Sequence, residues 1–290
     1  MLNEKKTNSY DLTPIENAGL DDLSGERLAQ ILKEARKSCP EQFADGEEEA
    51  LLYKLRILTP LGDKLVPTLA ALLVAGRAPE KCLPHFGITV NRYRGREKTG
   101  EALFLRKELR GTIPDLVIEV LTLMRNAMNV RAIVKENGLR YDVADYSLEA
   151  VREAVMNALA HRDYSPCASR PVEVSIFSDR LEIENPGGLY GPVTLDALEE
   201  GLSAARNPHL VKLLSYTPFW GETVSPNKGI GFARIRAALA REGLPEMKLE
   251  ASENAFKLIF EKRASEKEKK MAKRPLKISS PIFLLLNSLV

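Results

Sequence analysis

Cysteine is scarce. Cys39, Cys82 and Cys167 are the only three, odd in number, far apart and in no CxxC pair. That excludes a disulfide framework and a thiolate zinc site, and points to a reducing cytoplasm. His85, His161 and His209 show no metal-ligand spacing, so they are expected at the surface or at helix ends. No apolar run approaches the ~20 residues of a membrane span. The apolar C-terminal stretch, Pro281–Val290, is too short, and the first residues, MLNEKKTNSYDLTP, lack the apolar core of a secretory signal. No GxxxxGK[ST] string occurs, which excludes a P-loop motor.

What is present is the composition of a globular protein: 44% hydrophobic and 28% charged residues. The net charge of +2 is unevenly spread. Lys262–Lys277 hold eight Lys or Arg against two Glu, leaving the remainder at about −4. A mildly acidic body does not suit duplex binding. Nucleic acid is therefore expected only indirectly or through the basic tail, whose bland reading is a solvated, irregular run. No membrane partner is expected, and a homo-oligomer is compatible with the composition.

Periodicity organises the chain. Leu28, Ile31 and Leu32, then Leu51, Leu52 and Leu55, read as helix. Gly62-Asp63 between two apolar runs reads as a hairpin turn, with Pro67 opening a helix that ends near Gly76. Ile88 and Val90 mark a strand, and Pro114 to Val130 a helix. Ser147 can cap a helix running to about Ala160. Two strands then hinge at Ser178-Asp179, and Asn207-Pro208 starts a short helix. Gly229-Ile230-Gly231 opens another helix that stops at Gly243, and a last hairpin turns at Ser252–Asn254. The expected class is α+β. A linker (1–25) and a small α/β domain (26–140) precede a sandwich of mixed sheet with helices on one face (141–263), followed by a basic tail (264–290).

In SLEAVREAVMNALAHRDYS, Val151, Val155 and Leu159 form one apolar stripe. Glu153 and Asn157 lie about 200° around the helix from Val151, at 100° per residue, so one face can pack while another presents a carboxylate beside an amide. An amide oxygen suits a hard cation, and a carboxylate can take a proton from water. By spacing alone, an ordinary surface Glu and Asn is the commoner explanation. Downstream, Asn185 ends a strand and can pair with an adenine edge, while Gly187 and Gly188 let backbone approach a flat ligand. Alone, NPGG is simply a turn. Gly229 and Gly231 precede a helix whose free N–H groups favour phosphate. The three elements in this order outweigh each taken singly.

The strings EAVMNALAHRDYS, DRLEIENPGGL, ARNPHL and KGIGFARI resemble the GHKL (Bergerat-fold) ATP-binding superfamily, and within it the RecG C-terminal-like, or divergent histidine-kinase-like, ATPases. The resemblance covers roughly Tyr146 to Arg263, and Asp21 to Val130 resembles the middle region of the same proteins. It implies ATP and Mg2+ as ligands. Glu153 would be the base on the attacking water and Asn157 the magnesium ligand. Asn185 stands where the superfamily usually has an adenine-reading Asp, with Gly187 and Gly188 following. Gly229 and Gly231 would form the phosphate loop, with Lys228 near the terminal phosphates. The resemblance also implies a preceding Schlafen-type AlbA domain, of which only NSYDLTPIENAGLDDLS resembles a remnant, so a truncated member is expected. His161-Arg162-Asp163 matches the start of a protein-kinase catalytic loop, but Ala168 stands where that loop needs Asn. These three residues are expected to close the helix and hold the loop, with Arg162 as a phosphate neighbour. Trp220 is expected to pack in the lid. Three readings stay open: a slow ATPase acting as a conformational switch in a DNA-associated or transcription-regulator-like protein, a non-hydrolysing ATP sensor, and a degenerate remnant.

Overall fold

A computed structural model describes residues 9–43, 46–134, 140–166, 168–202, 204–219, 222–223 and 231–264. The expected positions of Cys167, Trp220, Lys228, Gly229 and the tail lie outside these residues. Its main sheet has six strands: β1 (Ile88–Tyr93), β2 (Leu103–Leu109), β3 (Val172–Ile176), β4 (Arg180–Pro186), β5 (Lys248–Ala251) and β6 (Ala255–Glu261). Their spatial order is β5-β6-β4-β3-β1-β2. Only β1 and β3 run parallel; every other neighbouring pair is antiparallel. Two strands thus come from the half that precedes residue 110, and four from the half that follows residue 171. The mixed α+β class is as expected from the sequence.

Register shows why the sheet has one greasy face. Val90, Val174, Ile183 and Leu258 are direct partners across four strands and are all buried. One residue along, Thr89, Glu173, Glu184 and Lys257 align on the other face. Successive side chains alternate between faces, so the first row meets the helices and the second is polar.

Six helices matter here: α1 (Gly25–Ser38), α2 (Leu69–Ala75), α3 (Ile113–Ala127), α4 (Leu148–Ala160), α5 (Pro208–Ser215) and α6 (Gly231–Glu242). The first five begin where the sequence supplies a start signal; the residues before α6 lie outside the described ones. Ser24 accepts from Arg27 N (3.5 Å), Thr68 from Ala71 N (3.3 Å) and Ser147 from Ala150 N (3.3 Å). Thr112 and Asp115 make a capping box on α3, and Pro208 occupies the first turn of α5. The hairpin at Gly62 is present, with Gly62 at φ +60°. Pro67, however, ends its second strand; Thr68 is the cap, because its hydroxyl accepts the free N–H of Ala71 and the proline side chain offers no acceptor. All seven residues of α2 are buried. Helix α4 packs against β4 and against both α3 and α6, at the centre of the core.

Candidate functional site

On α4 the stripe of Val151, Val155 and Leu159 is buried against the core. The other face carries Glu153, only 2% exposed, and a half-buried Asn157. Both meet the first residue of α6. A Cβ built on Gly231 would stand 2.6 Å from Asn157 Nδ2, 3.2 Å from its Oδ1 and 3.1 Å from Glu153 Oε1. Amide and carboxylate therefore sit together at the N-terminus of α6, where free backbone N–H groups and the helix dipole attract negative charge. Burial raises the pKa of Glu153 above the ordinary carboxylate value. The Arg234 guanidinium, 3.9 Å from Glu153 Oε2, and Arg152 act in the opposite direction. A carboxylate that holds its proton more firmly is a better base than one in open water.

Next to this corner lies a cavity of about 480 Å3, within the range of small-molecule sites. Its floor is the apolar face of the sheet: Ile183, Phe256 and Leu258. Phe232, one residue into α6, stands edge-on to Phe256 with ring centroids 6.1 Å apart. Leu189, Val193 and Leu202 from the connecting loops, and Leu198 from the short helix Leu195–Glu199, line another side. The side-chain polar groups at the walls come from Asn157, His161, Asn185, Tyr190 and Arg206. Asn185 lies two residues along β4 from Ile183, hence on the same face, and is 5% exposed. Its Nδ2 points to Pro186 O at 3.4 Å.

Of the residues singled out in the sequence, Asn157, Asn185, Gly188 and Gly231 line this one cavity. Glu153 reaches the same corner from behind Asn157. Gly187 does not line it; at φ +93° it turns the chain, and a Cβ there would come within 2.8 Å of Asp163 Cβ. A Cβ on Gly188 would come within 2.1 Å of Ser252 O. These two glycines are thus required by the protein's own packing, and need no flat ligand to explain them. Lys228 and Gly229 fall outside the described residues.

Sequence reasoning missed three polar cavity residues: Arg206, Tyr190 and His161. Arg206 donates to Gly188 O (2.7 Å), pairs with Asp163 Oδ2 (3.4 Å), and lies over the Tyr190 ring at 4.9 Å. His161 caps α4 and turns a partly exposed edge to the cavity. Close surroundings lower its pKa to about 4, first by burial and then through the Arg206 charge, so the ring is neutral near pH 7. The only signals were a His closing a helix and an Arg before an Asn-Pro cap. Arg162, expected near phosphate, instead points into protein. It is 3% exposed, and its guanidinium donates to the carbonyls of Asp163, Ala168 and Arg170 at 2.7–3.0 Å, holding the loop.

Residues 169–260 match a RecG-like ATPase family, the "Putative ATP-dependent DNA helicase recG C-terminal" family. The match includes Asn185, Arg206 and Gly231; Glu153 and Asn157 precede it. Residues 1–89 match a domain of unknown function (DUF8451). Among solved structures, the DIP2311 protein from Corynebacterium diphtheriae is similar with a TM-score of 0.62 and 18% identity, over 88% of this chain and 48% of that one. At that identity the likeness is one of fold, and this chain spans about half the length of that structure. No curated protein matches. No helix among the described residues is long and apolar enough to cross a membrane.

Proposed function

We propose that the cavity binds ATP in the GHKL manner and that the chain hydrolyses it slowly. The observation that carries this reading is the meeting of Glu153, Asn157 and the Gly231 helix mouth at one end of an apolar-floored cavity. The base would lie on Ile183, Phe256 and Leu258 with Asn185 at its edge, and the phosphates toward the first turn of α6. Asn185 offers both a donor and an acceptor, so an adenine edge can be satisfied there.

The donor set fits a magnesium ion carried in with the nucleotide. Among the described residues no group of three His, Cys, Asp or Glu could hold a metal alone. The Asn157 side chain stands at the cavity, where its amide oxygen can supply the single protein ligand that a nucleotide-borne Mg2+ needs. Bound there, the ion would neutralise charge on the phosphate oxygens. Glu153 would orient a water and accept its proton as the water oxygen bonds to the γ-phosphorus. The bond from that phosphorus to the β–γ bridging oxygen breaks, and ADP leaves with the electron pair. The N–H groups of the α6 mouth would hold the phosphate charge.

Calorimetric titration with a non-hydrolysable ATP analogue, with and without Mg2+, tests the binding step. Wild type should bind more tightly with Mg2+, and Asn157→Ala should lose that increment. Absence of binding by the wild type sinks the reading.

A further inference from the structure

Residues 9–89 grip one helix in three places. Asp11, with no exposed surface, accepts hydrogen bonds from the backbone N–H groups of His209 (2.7 Å) and Leu210 (2.9 Å) in the first turn of α5. The Ser9 hydroxyl donates to the other carboxylate oxygen. Helix α2 lies against α5. Just past the end of α5, Tyr216 meets Phe43 edge-on with centroids 6.3 Å apart, and its hydroxyl is 3.9 Å from Cys39 Sγ.

The gripped helix is also a wall of the cavity. Val211 on α5 and Arg206 just before it both line the cavity. Between them Asn207, 1% exposed, donates to Ala160 O (2.9 Å) and Arg162 O (2.8 Å). It ties the start of α5 to the end of the helix that carries Asn157. A shift of α5 along its axis would therefore move Val211 and Arg206 and pull on the end of α4.

We propose that residues 9–89, which fall within the match to a domain of unknown function, position the nucleotide cavity through α5, with Asp11 as the positioning residue. The proposal rests on the nucleotide reading above. The first-turn N–H groups of a helix have no partner within the helix, and a buried carboxylate satisfies two of them at once. If nucleotide needs Arg206 and Val211 seated, occupancy of the cavity and the Asp11 contact favour each other by the same factor.

The test uses the full chain and a non-hydrolysable ATP analogue with Mg2+. Asp11→Asn keeps an oxygen acceptor and should bind within about twofold of wild type, whereas Asp11→Ala should bind about three- to thirtyfold more weakly, the span of a lost helix cap. Ser24→Ala removes a cap from α1, away from the cavity, and should bind as wild type. In the wild type, nucleotide should slow hydrogen exchange at the His209 and Leu210 amides. A folded Asp11→Ala with wild-type affinity, or a Ser24→Ala weakened to the same degree, overturns the proposal. Unchanged exchange at those two amides in nucleotide-loaded wild type does so without any variant. A wild type that binds no nucleotide removes the functional reading and this proposal together. That outcome is read from the first titration, before any variant is compared.

Discussion

Gly231 and Asn157 are packed so closely that a methyl group added to the glycine would stand 2.6 Å from the amide nitrogen. No positive φ demands glycine at this position. By helix propensity alone, alanine would be favoured there. What alanine would displace is the tip of Asn157 and, at 3.1 Å, the carboxylate of Glu153. Both are ends of flexible side chains, so the fold can yield while the site cannot. Gly231→Ala should keep its urea-derived stability within about 1 kcal/mol of wild type. It should bind Mg-ATP at least about tenfold more weakly, a displacement worth roughly 1.4 kcal/mol, by calorimetry.

Glu153 permits a separation of chemistry from binding. Glu153→Gln keeps the shape and removes the base. Phosphate release should fall about 10²–10⁴-fold while analogue affinity stays near wild type. Equal release by both proteins would strip Glu153 of its role. A second readout follows from burial, which raises this carboxyl's pKa in the folded state. A raised value stabilises the fold below the unfolded pKa, and that contribution is lost as pH rises through the folded pKa. Glu153→Gln should therefore melt at or above the wild-type temperature at pH 8, with the gap narrowing toward pH 4.

The pairing of Glu153 with Asn157 and the placement of Gly231 at a helix start were legible because each depends on spacing within about one turn of helix. The strands carrying Ile183 and Asn185 were legible for the same reason, through their alternation. The parallel pairing of β1 with β3 was not legible, since nothing local in Ile88–Tyr93 names Val172–Ile176 as its partner. Strand β2 was missed because, at the sheet edge, only Leu109 is buried and no alternation is imposed. The hairpin of Val130–Val134 with Arg140–Ala144 also escaped. Arg206 and His161 became cavity residues only when α5 and the end of α4 met, a tertiary event. Arg162 shows the converse: a cation in a promising string, consumed by carbonyls.

His161 should make the protein acid-sensitive. Its pKa is lowered to about 4, first by burial and then by Arg206. A depressed value means the unfolded chain takes up this proton first as pH falls. The associated stability is complete above the unfolded value of 6.5 and drains between there and about 4. Because the ring keeps an exposed edge, the amount is on the order of 2 kcal/mol, less than the full shift would imply. Wild type should lose stability between pH 7 and 4.5 by urea titration. His161→Gln should flatten part of that slope, and identical slopes would show that other groups carry it.

Gly188 should behave in the opposite way to Gly231. A Cβ there would stand 2.1 Å from Ser252 O and 2.8 Å from Glu253 O, both backbone atoms of the turn between β5 and β6. The same turn accepts the Gly188 N–H at Glu253 O, 3.2 Å away, and the Gly187 N–H at Asn254 O, 2.9 Å away. No side chain can swing aside to make room; the hairpin itself must move, breaking these bonds and lifting Phe256 and Leu258 from the cavity floor. Overpacking against fixed backbone costs about 1–3 kcal/mol, and a lost buried hydrogen bond about 1 kcal/mol more. Gly188→Ala should therefore lower the urea-derived stability by roughly 2–4 kcal/mol, with nucleotide affinity falling because the floor is displaced. A variant as stable as wild type would mean that this turn is not held against the glycine pair, and that Gly188 is free to serve the ligand instead.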